Sequence, residues 1–207
     1  MIQALPKPLT FEEFVAWLPE TGRYELIDGI VVEMQPTGPH EEVTEFISTM
    51  LTIEANRLQL PYRFPRRALI RAISWETGYL PDVLVVDRQA LVSEPRWKQA
   101  ATITQGSSVK LVVEVISTSW ETDYARKLED YEAMGIREYW LCDYLGLGGR
   151  RYIGSPKQPT FSVYQLQQSG EYQVKQFRGE QVIESLVFPE LLLSLNQILR
   201  AVSSQGG

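Results

Sequence analysis

The sequence predicts an α/β fold built on a mixed sheet, and three observations carry that reading. Between residues 110 and 144 an apolar run (KLVVEVI), a capped helical stretch (STSWETDYARKLEDYEAMG) and a second apolar run (REYWLCDY) follow one another closely. That compact strand–helix–strand order implies a right-handed parallel crossover. Near the N-terminal end, Asp28-Gly29 separates two short β-like runs and suits a type I′ hairpin turn, so antiparallel pairing is expected there. Two further β-like runs, FSVYQL and EYQVKQF, predict another hairpin towards the C-terminal end.

Taken in order, residues 8–18 (PLTFEEFVAWL) read as a short helix, with Thr10 as N-cap and Glu13 three residues on completing a capping box. Residues 23–34 (RYELIDGIVVEM) form the first hairpin. After a Pro- and Gly-rich loop, residues 41–60 carry Val43, Phe46, Ile47, Met50, Leu51 and Ile53 at near-helical spacing, which predicts a long amphipathic helix. Three β-like runs follow, at 62–73, 82–87 and 110–116, with residues 88–108 as an excursion from the sheet. Thr118 and Glu121 read as a second capping box, and Gly135 as the C′ stop of that helix. The stretch FPELLLSLNQIL reads as a closing amphipathic helix. No internal repeat or low-complexity segment divides the chain, and a length of 207 residues suits one domain over residues 1–207.

Composition narrows the class. The chain is 44% hydrophobic and 22% charged, and no stretch approaches the roughly 18 uninterrupted apolar residues of a membrane helix. The start, MIQALPKPLTFEEF, lacks the basic residues and apolar run of a secretory signal. A single cysteine, Cys142, cannot form an internal disulfide and reads as a buried free thiol, so a cytoplasmic location is expected. The net charge of −6 counts against a broad nucleic-acid-binding surface, because phosphate contacts need clustered Lys and Arg. A local basic patch remains compatible with it, and carboxylates gathered around a metal would themselves lower the formal charge.

Two carboxylates stand out. Asp82 opens an otherwise apolar run directly after Pro81, and Glu114 lies in the middle of LVVEVI. A carboxylate in such a run is costly to bury unless something pairs with it. The two-residue period of a strand puts Lys110, Val112, Glu114 and Ile116 on one face. Carboxylates on adjacent strands would offer hard oxygen ligands to Mg2+ or Mn2+. The competing reading is a structural ion pair between Glu114 and Lys110, Arg126 or Lys127.

Helix, β-runs, Pro81-Asp82, Glu114-Val115-Ile116, helix, strand: this order resembles the PD-(D/E)XK nuclease superfamily. The longer stretches YELIDGIVVEM, PDVLVVD and LVVEVISTSWETDYARKLEDYEAMGIREYWLCD resemble its putative restriction endonuclease branch, over about residues 8–145. The resemblance implies a restriction endonuclease-like αβββαβ core and metal-dependent cleavage of nucleic acid, with DNA as substrate. It also implies an Mg2+ or Mn2+ ion held by Asp82, Glu114 and the Val115 carbonyl, and a homodimer with two sites for two strands. The superfamily usually places a lysine two residues after the glutamate, where this chain has Ile116. Lys127 resembles the migrated lysine that this branch uses instead; otherwise it is a solvated partner of Asp123. Glu25 resembles a family carboxylate near the metal cluster, or else is a strand-surface charge. His40, the sole histidine, stands where the family commonly has one, although a histidine at a helix start also serves as a cap or surface residue.

For DNA contact the best basic stretch is Arg63, Arg66, Arg67 and Arg71 with Tyr62 and Phe64 interleaved, extended by Arg150 and Arg151; the alternative is a solvated strand face that protects an edge. Trp75, Tyr79, Trp97 and Trp120 are candidate anchors for a dimer interface. Two functions from different classes follow: a metal-dependent endonuclease, or a non-catalytic nucleic-acid- or protein-binding protein on the same scaffold.

Overall fold

In a computed structural model, which describes residues 7–73 and 76–203, the strands fall into two sheets. Helix α1 (Phe11–Trp17) carries the expected cap: Thr10 Oγ1 accepts from Glu13 N–H at 3.2 Å, and Glu13 Oε2 accepts from Thr10 N–H at 2.8 Å. The hairpin β1 (Tyr24–Ile27) and β2 (Ile30–Glu33) turns at Asp28 and Gly29, whose φ values of 51° and 78° are those a type I′ turn needs. Helix α2 (Gly38–Arg57) starts three residues before the expected position, because Pro39 supplies a ready-made first turn.

The run at 62–73 is divided. Its first part is β3 (Tyr62–Arg63) and its last is β4 (Leu69–Arg71), and they join different sheets. Pro65 between them has no N–H to give a ladder, so a single strand cannot pass through. Strand β5 (Gly78–Tyr79) follows, then β6 (Val83–Asp87). The excursion at 88–108 holds helix α3 (Trp97–Ala100) and adds β7 (Thr102–Ile103), which pairs parallel with β4. The smaller sheet runs β2-β1-β5-β4-β7.

The larger sheet is built on β8 (Val109–Val115), with β9 (Glu138–Asp143), β10 (Thr160–Leu166) and β11 (Tyr172–Phe177), in the order β11-β10-β9-β8-β6-β3. β8 and β9 are parallel, as the crossover predicted; the other pairs in this sheet are antiparallel. The connecting helix differs from expectation in two ways. It opens at Trp120 with no Thr118–Glu121 box; Thr122 N–H donates to Ser119 O at 3.1 Å instead. Its first part, Thr122–Lys127, is π-helical before α4 (Leu128–Ala133) resumes the usual pitch. Gly135 ends it at φ 74°, with Ile136 N–H reaching back to Tyr131 O at 3.0 Å. After the short α5 (Arg150–Ile153), the last helix α6 (Leu195–Ser203) begins later than FPELLLSLNQIL suggested. Ser194 and Gln197 cap it reciprocally (2.7 and 3.3 Å), and Ile183 N–H binds Leu193 O, which holds the preceding stretch as an extended segment.

Side chains alternate across the larger sheet. Val83, Val85, Leu111, Val113, Val115, Trp140 and Cys142 pack with Val43, Ile47 and Leu51 of α2 and with Phe188 and Ile198. Leu84, Val86, Val112, Ile116, Tyr139 and Leu141 pack on the other face with Tyr124, Tyr131, Ile70 and Tyr79. Glu138, wholly buried at the start of β9, accepts from Trp140 Nε1 (2.7 Å), Ser185 Oγ (2.6 Å), Leu186 N–H (2.7 Å) and Gln165 Nε2 (3.3 Å). Among the described residues no helix is long and apolar enough to cross a membrane.

Candidate active site

The β6–β8 ladder registers Val83 opposite Val113. One step further, past the end of β6, places Asp82 opposite Glu114, and directly opposed residues of an antiparallel pair share a face. Asp82 Oδ2 accepts from Val115 N–H at 2.9 Å and lies 3.3 Å from His40 Nε2; Oδ1 takes Arg23 Nη2 at 3.2 Å. His40 Nε2 is also 3.0 Å from the Val115 carbonyl. A carbonyl can only accept, so Nε2 carries the proton here, and Nδ1 is buried with no hydrogen-bond partner. Burial alone would raise Asp82, but His40, the Val115 N–H and Lys127 hold its carboxyl below the usual range. Burial alone would depress His40, but Asp82 and the Val115 carbonyl hold it above.

The other half of the site is a caged lysine. Lys127, only 2% exposed, places Nζ 3.1 Å from Glu25 Oε1, 3.1 Å from Glu114 Oε1 and 3.2 Å from Asp123 Oδ1. Glu25 Oε1 also accepts from Leu80 N–H at 3.0 Å, and Glu114 Oε1 from the Tyr131 hydroxyl at 3.3 Å. Burial raises Glu114 well above the usual carboxylate range against the pull of Lys127, and the neighbouring carboxylates add to the rise. Burial would lower Lys127, but Glu114, Glu25 and Asp123 hold its ammonium well above the usual value. The π-helical turns coincide with this cage: Asp123 and Lys127 both lie on them, and both are buried.

The structure therefore brings Asp82, Glu114, Lys127, Glu25 and His40 together from separate elements. Asp123 belongs to the cage as a buried partner, where the sequence left it a solvated pairing. Arg23, at the entry to β1, is an addition; its only advance signal was its place in RYELIDG. The basic stretch is dispersed. Arg67 donates to the backbone carbonyls of Pro19, Glu20 and Gly22, Arg71 pairs with Glu12 at 2.8 Å, and Arg66 lies near Asp82 in a cavity shared with Arg23. Of the proposed dimer anchors, Tyr79 is wholly buried, and Trp97 and Trp120 pack against the core, so these three do not form an exposed patch; Trp75 lies outside the described residues. Cys142 is a buried free thiol, as expected.

Among the described residues no three His, Cys, Asp or Glu side chains form a metal-holding group by themselves. A mixed donor set does fit. Ligands about 2.1 Å from an ion and at right angles lie roughly 3.0 Å apart, close to the 3.0 and 3.3 Å that separate His40 Nε2 from the Val115 carbonyl and Asp82. Releasing Nε2 from its hydrogen bond to the Val115 carbonyl for an ion would move the imidazole proton to Nδ1, which lies 3.8 Å from Glu41 Oε1.

Over residues 11–196 the chain matches the family described as Uma2, putative restriction endonuclease, and it belongs to that family. Among solved structures it resembles a putative nuclease belonging to DUF820 from Anabaena variabilis ATCC 29413, with a TM-score of 0.70 and 20% identity, covering 94% of this chain and 99% of that one. That likeness is one of fold. No curated protein matches the chain.

Proposed function

We propose that this protein is a metal-dependent endonuclease that hydrolyses phosphodiester bonds of DNA. The observation that carries the reading is the convergence of Glu25, His40, Asp82, Glu114 and Lys127 at the end of one antiparallel strand pair. Membership of a family named for restriction endonucleases supports it. Asp82, Glu114 and the Val115 carbonyl would hold Mg2+ or Mn2+, with His40 Nε2 beside them. Such an ion supplies Lewis-acid polarisation of a phosphoryl oxygen and a more acidic bound water. Lys127 keeps the Glu25 and Glu114 carboxylates oriented, and from behind them its charge would offset negative charge developing on the phosphate. Arg23 steadies Asp82 from the opposite side. Cutting both strands of a duplex would need two such sites, hence two copies of the chain; light scattering at micromolar concentration tests for the dimer.

One observation favours the second reading, a binding protein on a nuclease scaffold: the Lys127 ammonium is enclosed by three carboxylates. Supercoiled plasmid incubated with Mg2+ or Mn2+ separates the two. Nicking or linearisation by the native protein, lost in Asp82→Ala, supports the nuclease. DNA retained by the native protein but left intact under both metals would assign it to the binders.

A further inference from the structure

Asp82 lines two cavities of opposite character. The larger, about 360 Å3, is walled by Val32, Met34, Tyr144 and Leu147 with the hydroxyl-bearing segment Ser117–Ser119; Glu33 and His40 join Asp82 on its lining, and among the described residues no Lys or Arg does. The smaller, about 240 Å3, holds Arg23 and the exposed Arg66, with Glu41 and Glu45 on the same lining.

We infer that the larger cavity is a subsite for a single unpaired nucleotide, so that the substrate is single-stranded or locally unpaired nucleic acid; this rests on the nuclease reading above. Three arguments carry it. First, a phosphate backbone needs cations along its track, and this cavity has Glu33 and Asp82 on its lining with His40, already held by Asp82, as its one basic group among the described residues. What its apolar walls and short row of hydroxyls suit is an uncharged, flat group with hydrogen-bonding edges, which is a nucleobase with its sugar. At about 360 Å3 it sits at the small end of ligand-sized pockets, enough for one such unit and far too narrow for a duplex. Second, Val32, Met34 and Leu147 are partly exposed at the cavity, with the buried Ile116 and Tyr144 beside them. These partly exposed side chains supply the apolar surface beside Asp82. Third, the cations lie on the other side of Asp82. Arg23 is already paired with Asp82, and Arg66 has Glu41 and Glu45 on the same lining, so this side provides for one neighbouring phosphate at most rather than for a tract, in keeping with a net charge of −6. A strand would cross the site with its unpaired base in the larger cavity, the scissile phosphate at Asp82 and the next phosphate at the arginines.

The test is fluorescence anisotropy with a short labelled DNA oligonucleotide, presented single-stranded, as a blunt duplex, and as a duplex with a small bulge. Calcium as the metal avoids dependence on turnover. Single-stranded and bulged forms should bind roughly tenfold or more tighter than the blunt duplex, on the scale of one stacked base. Ser119→Trp, at an exposed position on the cavity lining, should erase that preference by filling the cavity, with its unfolding midpoint kept near native as the folding check. Thr118→Trp serves if Ser119→Trp does not fold. A blunt duplex bound as tightly as the single strand, or no binding of any form, or a preference that survives the filled cavity, overturns the subsite. Plasmid and oligonucleotide cleavage in Mg2+ or Mn2+ is scored separately. Preferential binding without cutting keeps the subsite and removes the nuclease, and indiscriminate cutting does the reverse.

Discussion

Replacing Lys127 by Met removes one charge and keeps most of the stem's packing, so it isolates what the ammonium does. Three carboxylate oxygens within 3.1–3.2 Å lose their shared cation. Removing one partner of a buried ion pair costs about 3–5 kcal/mol. Three carboxylates suggest more, but protonation limits the loss: burial already pushes Asp123 up to about 6, and it holds Glu114 well above the usual range. For a chain of 207 residues each kcal/mol moves the unfolding midpoint by about 2–4 °C, so the variant should melt roughly 6–20 °C lower near pH 8. The sign of the pH dependence follows from the direction of the shifts. A carboxyl whose folded pKa is raised contributes stability that is fully present below its unfolded value and lost as the pH rises through the folded one. For Asp123 in the native protein that window runs from about 4 to about 6. Without Lys127 the Glu114 and Asp123 carboxyls titrate higher, so the window extends upwards and the variant's deficit must shrink as the pH falls from about 8 to about 5. Calorimetry on metal-free protein at both pH values reads this, and plasmid cleavage reads the catalytic part. An unchanged midpoint near pH 8, or an equal deficit at both pH values, would refute the caged-charge argument; native cleavage would remove Lys127 from the chemistry.

Three further outcomes are expected. Asp82→Ala should abolish cleavage and weaken Mn2+ binding measured by calorimetric titration, and native affinity would place the ion elsewhere. His40 is the sole histidine, so its imidazole resonances can be followed alone in EDTA; the midpoint should lie above 6.5, fall in Asp82→Asn, and fall again when Mg2+ competes with the proton. Stability from His40 is full below the unfolded value and lost as the pH rises through the raised one, and a midpoint at or below 6.5 in EDTA would contradict the pairing with Asp82. Gly106→Ala would set a Cβ 2.0 Å from the Met134 carbonyl, so backbone must shift at a cost of about 1–3 kcal/mol; an unchanged urea midpoint would show that the contact yields freely.

Much of this site was legible because the sequence places charge where strands should be apolar. Asp82 after Pro81 and Glu114 within LVVEVI could be picked out by that alone, and the two-residue period assigned Glu114 its face. Lys127, Glu25 and His40 were legible only through the resemblance, since each has an ordinary surface reading at its own position. Asp123 was misread for a physical reason: an i, i+4 pair looks solvated until the strands that bury it are in place, and the π-helical turns that carry it leave no mark in local pattern. The division of 62–73 could have been read from Pro65, and the late start of α6 from Ser194-x-x-Gln197, a capping signature hidden inside an apolar run. The dispersal of Arg67 and Arg71 could not, because their partners at residues 19–22 and 12 are distant in the chain.

The buried carboxylate of Glu138 has a consequence for the order of assembly. Two of its four acceptor contacts go to Ser185 and Leu186, which are 47 and 48 residues later in the chain. Burial raises this carboxyl, and the late-arriving donors pull it back. Without those two donors the Glu138 carboxyl opposes the insertion of β9 between β8 and β10. Closing the larger sheet thus draws on Ser185 and Leu186, and a chain cut short before them should be cleaved faster by a protease than the full chain.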